Sequence, residues 1–205
     1  MPQAKQNTNS NISWLKPAQV ESMRDVAHEG RHGTRDEAII TLLYDTGLRR
    51  EELSGVDRAM IDLRESELRI PSDIQKDYPN ENTPDRATFA LDPSGDLRTV
   101  RTLRAYLNTR SDSNKALFPS QKSDRITGKG INDVVKRLAK EANISPHTYT
   151  GRGDSHDISA HTLRHSVAWR MLRDEEGNSL YDVRNRLRHA TILTTERKYD
   201  HFEKI

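Results

Sequence analysis

The sequence predicts a mainly α fold with a small antiparallel β-sheet, of the α+β class, and three observations point there. Apolar residues recur at helical spacing through most of the 205-residue chain. Only two short segments, 67–71 and 87–91, alternate as strands do. Hydrophobic residues make up 33 % of the chain and the formal net charge is only +2, which fits a folded, very polar domain better than a disordered one. No apolar run approaches a membrane span, and no basic-then-apolar leader opens the chain, so neither membrane insertion nor classical secretion is expected. Cys is absent, which excludes disulfide scaffolds, thiol catalysis and Cys-based zinc sites.

Residues 1–13 are polar, rich in Asn and Gln and without periodicity, so they read as a disordered tail ahead of a domain spanning 14–205. Pro17 suits a first helical turn, and Val20, Met23 and Ala27 follow at helical spacing. Thr34 with Glu37 has the form of a capping box opening a second helix, whose stripe is Ile39, Ile40, Leu42 and Leu43 and whose stop is Gly47. A short helix from 49 to about 56 follows. The two strands then flank a polar stretch, 72–86, that contains Lys76. Leu97, Val100, Leu103 and Leu107 mark another helix, and Ile131, Val134, Val135 and Leu138 the next. Residues 143–160 read as a loop rich in Gly, Ser, His and Asp. Helices at about 161–173, 179–187 and 191–199 close the chain, the last two opened by Ser179 with Asp182 and by Thr191 with Thr194.

Four clusters carry chemistry. They are Thr46-Gly47-Leu48-Arg49-Arg50-Glu51-Glu52-Leu53, the loop residue Lys76, His161-Thr162-Leu163-Arg164-His165, and Leu187-Arg188-His189 followed ten residues later by Tyr199. Singly, each is ordinary: a surface Arg at a helix junction, a solvated Lys, a polar helix face, a packed Tyr. The basic residues lean towards Arg, 23 of 33, and a guanidinium fork suits phosphate. His161 and His165 stand at i and i+4, but no third ligand accompanies them, so no metal site is expected.

Taken together and in this order, the clusters resemble the tyrosine recombinase family, the phage-type integrases. The resemblance covers about residues 14–202 and implies that family's catalytic-domain fold. Thr46-Gly-Leu-Arg-x-x-Glu-Leu53 looks like the segment with the first catalytic Arg, and His161-x-x-Arg164-His165 like the His-x-x-Arg box. Leu187-x-His189 with Tyr199 is similar to the terminal segment holding the nucleophile, and Lys76 falls where the family keeps a hairpin Lys.

The resemblance implies site-specific recombination or integration, viral genome integration included, through a 3′-phosphotyrosyl intermediate on double-stranded DNA. Arg49 and Arg164 would clamp the phosphate, Tyr199 attack it, His161 accept the proton, Lys76 protonate the leaving 5′-oxygen and His189 hydrogen-bond the phosphate. Glu52 and His165 would support these groups. The scheme needs neither metal nor high-energy cofactor, because the covalent link conserves the phosphodiester's energy. It also implies a synaptic tetramer assembled on DNA, and a cytoplasmic protein associated with the nucleoid when acting. Two rivals are a type IB topoisomerase-like nicking-closing enzyme and a non-catalytic DNA-binding protein of the same fold. Three departures stand out. Arg188 occupies the place of the family's Gly, as a further cation for DNA or a sign of a shifted helix junction. Only 13 residues precede Trp14, so the family's N-terminal DNA-clamping domain is expected to be absent. Six residues follow Tyr199, so docking of a long C-terminal segment into a neighbour is not expected.

Overall fold

A computed structural model describes residues 12–76 and 84–202. In chain order the elements are β1 (Ser13–Trp14), α1 (Pro17–Glu29), α2 (Gly33–Thr46), α3 (Arg50–Gly55), β2 (Ile61–Asp62), β3 (Glu67–Ile70), β4 (Ala87–Ala90), α4 (Thr99–Asn108), α5 (Gly128–Glu141), β5 (His147–Thr148), β6 (Gly151–Arg152), α6 (Ala160–Trp169), α7 (Leu180–Leu187) and α8 (Ile192–Tyr199). A π-helical turn, Arg170–Asp174, extends α6, and a 3-10 turn, Asp200–Phe202, follows α8.

Helix α2 is the hub, packed against α1, α4 and α6, with every residue from Asp36 to Thr46 buried. Burial all round brings carboxylates inside, and each is neutralised by an Arg from a neighbouring element. Glu37 accepts from Arg24 of α1 at 3.0 Å, Asp36 from Arg137 of α5 at 2.5 Å, and Asp45 from Arg186 of α7. These pairs fix the angular position of α2 among its neighbours, which its apolar stripe alone would leave loose.

The expected capping box of α2 does not form. The helix starts two residues earlier than a Thr34 cap requires, at Gly33 after His32, with no side-chain cap. Glu37 is drawn instead to Arg24 and, at 2.8 Å, to His28, while the Thr34 hydroxyl lies 3.3 Å from that of Thr109. The stop at Gly47 does form: its φ of +67° is the left-handed conformation that favours glycine, and its N–H donates to the Leu43 carbonyl at 2.9 Å.

There are two small antiparallel sheets among the described residues, not one. The first, in order β2-β3-β4, contains the two expected strands, paired Glu67 with Ala90 through Ile70 with Ala87. The second, in order β1-β5-β6, joins the start of the chain to the segment read as a loop. Ser13, placed in the tail by the sequence reading, pairs with Thr148, and Ile12 is buried, so the ordered chain begins before Trp14. Residues 1–11 lie outside the described residues. The second sheet closes over the end of the chain: Trp14 stacks on His147 at 5.9 Å and meets Phe202 edge-on at 4.8 Å. That contact anchors the turn immediately after Tyr199.

Candidate active site

The four clusters of the sequence converge. Where α2 ends, Gly47 reverses the chain, Leu48 is buried, and Arg49 becomes the residue capping α3. The carboxylate of Glu52, three residues on, turns back to accept from the Arg49 N–H at 2.8 Å and from its guanidinium Nη1 at 2.8 Å. Arg164, near the start of α6, is buried and donates to the carbonyls of Gly47 and Leu187, so it spans the ends of α2 and α7. Arg49, Lys76, His161 and Arg164 line one groove of about 630 Å³, together with Arg50, Lys136 and Asn132. A larger cavity of about 710 Å³ opens beside α1 and the start of α4, but none of the expected site residues lines it.

Behind the groove wall sit the remaining residues. Tyr199 is buried, its hydroxyl 2.6 Å from Nδ1 of His165. His189 is buried, its Nδ1 2.8 Å from the Thr195 hydroxyl, and its ring stacks on Tyr199 with centroids 6.0 Å apart. His161, exposed at the groove, packs edge-on against His165 at 4.4 Å. In this arrangement His165, not His161, touches the Tyr199 hydroxyl. The reason is helical geometry: His165 lies one turn further into α6, on the buried side, whereas His161 sits in the first turn at the groove. His189 bonds to Thr195 and its stacking places it against the Tyr199 ring.

The electrostatics are those of a cationic pocket. Burial, followed by the charges of Lys198, Arg164, Arg49 and Lys76, lowers the His161 pKa to about 4. Burial and then Arg164 and Lys198 lower His189 to about 3, and burial with the charge of His161 puts His165 well below its ordinary value. All three rings are therefore neutral at pH 7. Burial and Arg49 bring Arg164 down to about 9, so it stays charged there. Burial raises the Tyr199 phenol and keeps it protonated. Burial would also raise Glu52, but Arg188 and Arg49 outweigh that and hold its carboxyl below the ordinary value.

Two contributors escaped the sequence reading. Lys198, half-buried on α8 beside Tyr199, is the charge that acts most strongly on His161, and its own pKa is lowered by burial, Arg164 and Arg49. Its position next to Tyr199 in the sequence was the available signal. Arg188 was noticed only as a departure. Helix α7 ends at Leu187, and Arg188 takes the left-handed conformation, φ +53°, that a Gly would hold at no cost, so the junction is not shifted. Its guanidinium turns inward to Glu52 at 2.5 Å and is largely buried.

Comparison with known proteins agrees with this geometry. The phage integrase family model matches residues 13–204. The chain is 32 % identical over 187 residues to tyrosine recombinase XerC of Bifidobacterium longum (strain DJO10A), covering 90 % of this chain and 48 % of the relative. It is also 32 % identical to XerC of Pelobacter propionicus over 181 residues, covering 87 % of this chain and 51 % of that one. The chain thus spans about half the length of the curated relatives it matches. Among solved structures, XerA recombinase superposes with a TM-score of 0.69 at 22 % identity, covering 94 % of this chain and 60 % of that one. The Tn1549 transposon integrase in complex with transposon right end DNA superposes with a TM-score of 0.70 at 17 % identity, covering 98 % and 64 %. The fold is therefore the tyrosine recombinase catalytic-domain fold. No helix among the described residues is long and apolar enough to cross a membrane. From its fold, its groove and the match along nearly its whole length, the chain belongs to the phage integrase family of tyrosine recombinases.

Proposed function

We propose that this chain is a site-specific DNA recombinase or integrase acting through Tyr199. What supports the reading most is the convergence of Arg49, Lys76, His161 and Arg164, from three separate segments, on one groove with Tyr199 and His189 directly behind it. The scissile phosphate lies in the groove, where the Arg49 and Arg164 forks neutralise the charge that builds on its non-bridging oxygens. The Tyr199 hydroxyl leaves His165 and attacks phosphorus. The phenolic proton passes to His161, which is neutral and faces the groove. A bound phosphate raises the basicity of His161 at the moment it is needed. The P–O5′ bond breaks as Lys76 protonates the departing 5′-oxygen, which leaves a 3′-phosphotyrosyl link and a free 5′-hydroxyl. His189 supports the phosphate, and Thr195 orients its ring. A second 5′-hydroxyl reverses the steps on a new strand, with no metal or energy-rich cofactor.

The substrate is duplex DNA. Two of the solved relatives, the Tn1549 integrase and XerH, were captured in complex with DNA. On it, four copies would assemble to exchange strands, in the compartment that holds the nucleoid. The chain from Ile12 onward is the catalytic domain of this scheme.

The test is covalent trapping on a nicked attachment-site duplex. Wild-type protein accumulates a denaturation-resistant adduct, and Tyr199→Phe, equally folded and equally able to bind, forms none. An adduct from the Phe variant, or none from the wild type on any candidate site, overturns the reading.

A further inference from the structure

We propose that Arg188 is a positioning residue that holds the Lys76 segment against Glu52 and Arg49, so that the leaving-group proton donor is presented to the phosphate. This inference rests on the recombinase reading above. It begins with an oddity of backbone: Arg188 occupies the left-handed conformation at the end of α7, where glycine is at ease and a long side chain is not. A residue held there against its preference is held by something. Its guanidinium meets the Glu52 carboxylate at 2.5 Å through Nη2 and the Gln75 side-chain oxygen through Nη1, and lies 5.1 Å from the centre of the Phe89 ring on β4.

Gln75 is itself a tie. Its amide nitrogen donates to the Asp85 carbonyl at 2.7 Å and lies 3.3 Å from those of Ile70 and Pro71, so it joins the chain leaving β3 to the chain entering β4. The next residue is Lys76, whose backbone N–H points to Glu52 Oε1 at 3.4 Å. Arg188 therefore bridges the Glu52 carboxylate to the residue that precedes the proton donor. The Glu52 carboxylate in turn holds Arg49 through its other contacts. A planar fork reaches both acceptors at once, which a glycine cannot do and a lysine does at only one of them.

The test is Arg188→Gly, a change the backbone accepts, because glycine suits φ +53°. Two readouts separate this inference from the recombinase reading. The first needs no DNA: residue-resolved amide exchange at Gln75 and Lys76 accelerates in the Gly variant, with α2 and α5 unchanged. The second uses single-turnover cleavage of two nicked substrates, one normal and one with sulfur replacing the bridging 5′-oxygen. A thiolate leaves without a proton donor. The Gly variant is slowed by on the order of 10² on the oxygen substrate, the cost of misplacing a catalytic group by about an ångström. It regains the wild-type rate on the sulfur substrate. Unchanged exchange at Gln75 and Lys76 overturns the proposal, as does an undiminished rate on the oxygen substrate. Equal slowing on both substrates also overturns it, because Arg188 would then act on the phosphate itself. Absence of any wild-type adduct refutes the recombinase reading instead, while the exchange result still decides whether Arg188 clamps the segment.

Discussion

Replacing Glu52 by Ala removes the carboxylate that balances this site, and the structure sets the size of the effect. Glu52 is 1 % exposed. It accepts from the Arg49 guanidinium at 2.8 Å, the Arg49 N–H at 2.8 Å and the Arg188 guanidinium at 2.5 Å. At an effective dielectric of about 20, an ion pair some 4 Å apart is worth about 4 kcal/mol. The direct truncation cost is that of stranding buried cations, about 3–5 kcal/mol. For a chain of this size a kilocalorie shifts the melting temperature by about 2–4 °C, so Glu52→Ala lowers Tm by on the order of 10 °C. Added salt changes the difference little, because the pair is screened from solvent. The pH dependence has a definite sign. The Glu52 carboxyl is held below its ordinary value, so its stabilisation is complete above the unfolded carboxylate range and is lost as pH falls through the folded value. Scanning calorimetry from pH 7 to pH 3 should show a wide gap between wild type and Glu52→Ala at neutral pH that narrows in acid. Equal melting temperatures at pH 7, or a gap that widens in acid, refute the view that this carboxylate balances the site's cations.

Two other predictions concern the same region. Gly47→Ala should lower stability by roughly 2 kcal/mol or more, combining left-handed strain with overpacking, because an added Cβ would lie 2.5 Å from Leu187 Cδ2. A urea midpoint equal to wild type would show that the turn after α2 is not what holds Leu187 in place. The neutral histidines predict acid lability. Burial, with nearby cations, holds His189 at about 3 in the folded chain against near 6.5 unfolded, so stability falls as pH drops from about 6.5 towards 3. His189→Gln should flatten that slope in a series of thermal melts, and an unchanged slope would mean the ring is not buried neutral.

Much of the fold was legible because its signals are periodic. The stripes Ile39-Ile40-Leu42-Leu43 and Ile131-Val134-Val135-Leu138 became α2 and α5, and the alternating segments became β3 and β4. What was missed has no period. The strands β1, β5 and β6 are two residues each, too short to alternate, and they form because Trp14 needs a cover and finds His147 and Phe202. The capping box at Thr34 looked sound locally, but Glu37 found a buried Arg from another helix, which outweighs an exposed cap. At the site, the motif order located Arg49, His161, Arg164, His189 and Tyr199, and the structure gathers them. It did not reveal that His165 would hold the phenol or that Arg188 would turn inward. Both depend on which side of a helix end is buried, and this is decided by tertiary packing.

The site is built under tension that an anion relieves. Arg49, Arg164, Arg188 and Lys198 crowd one region, and the carboxylate acting there is Glu52, engaged with Arg49 and Arg188. Burial first, and then these charges, push down the pKa values of the three histidines and of Lys198. A positive potential of this kind is costly in an empty groove, and a phosphodiester cancels it. On the recombinase reading proposed above, the same cancellation raises the basicity of His161 beside the phosphate. Binding and proton transfer are thus linked through one field. Burial of Tyr199 against His165 keeps its phenol protonated and behind the groove wall. A fold that placed the same residues in a neutral pocket would hold them just as close together and would lose this coupling.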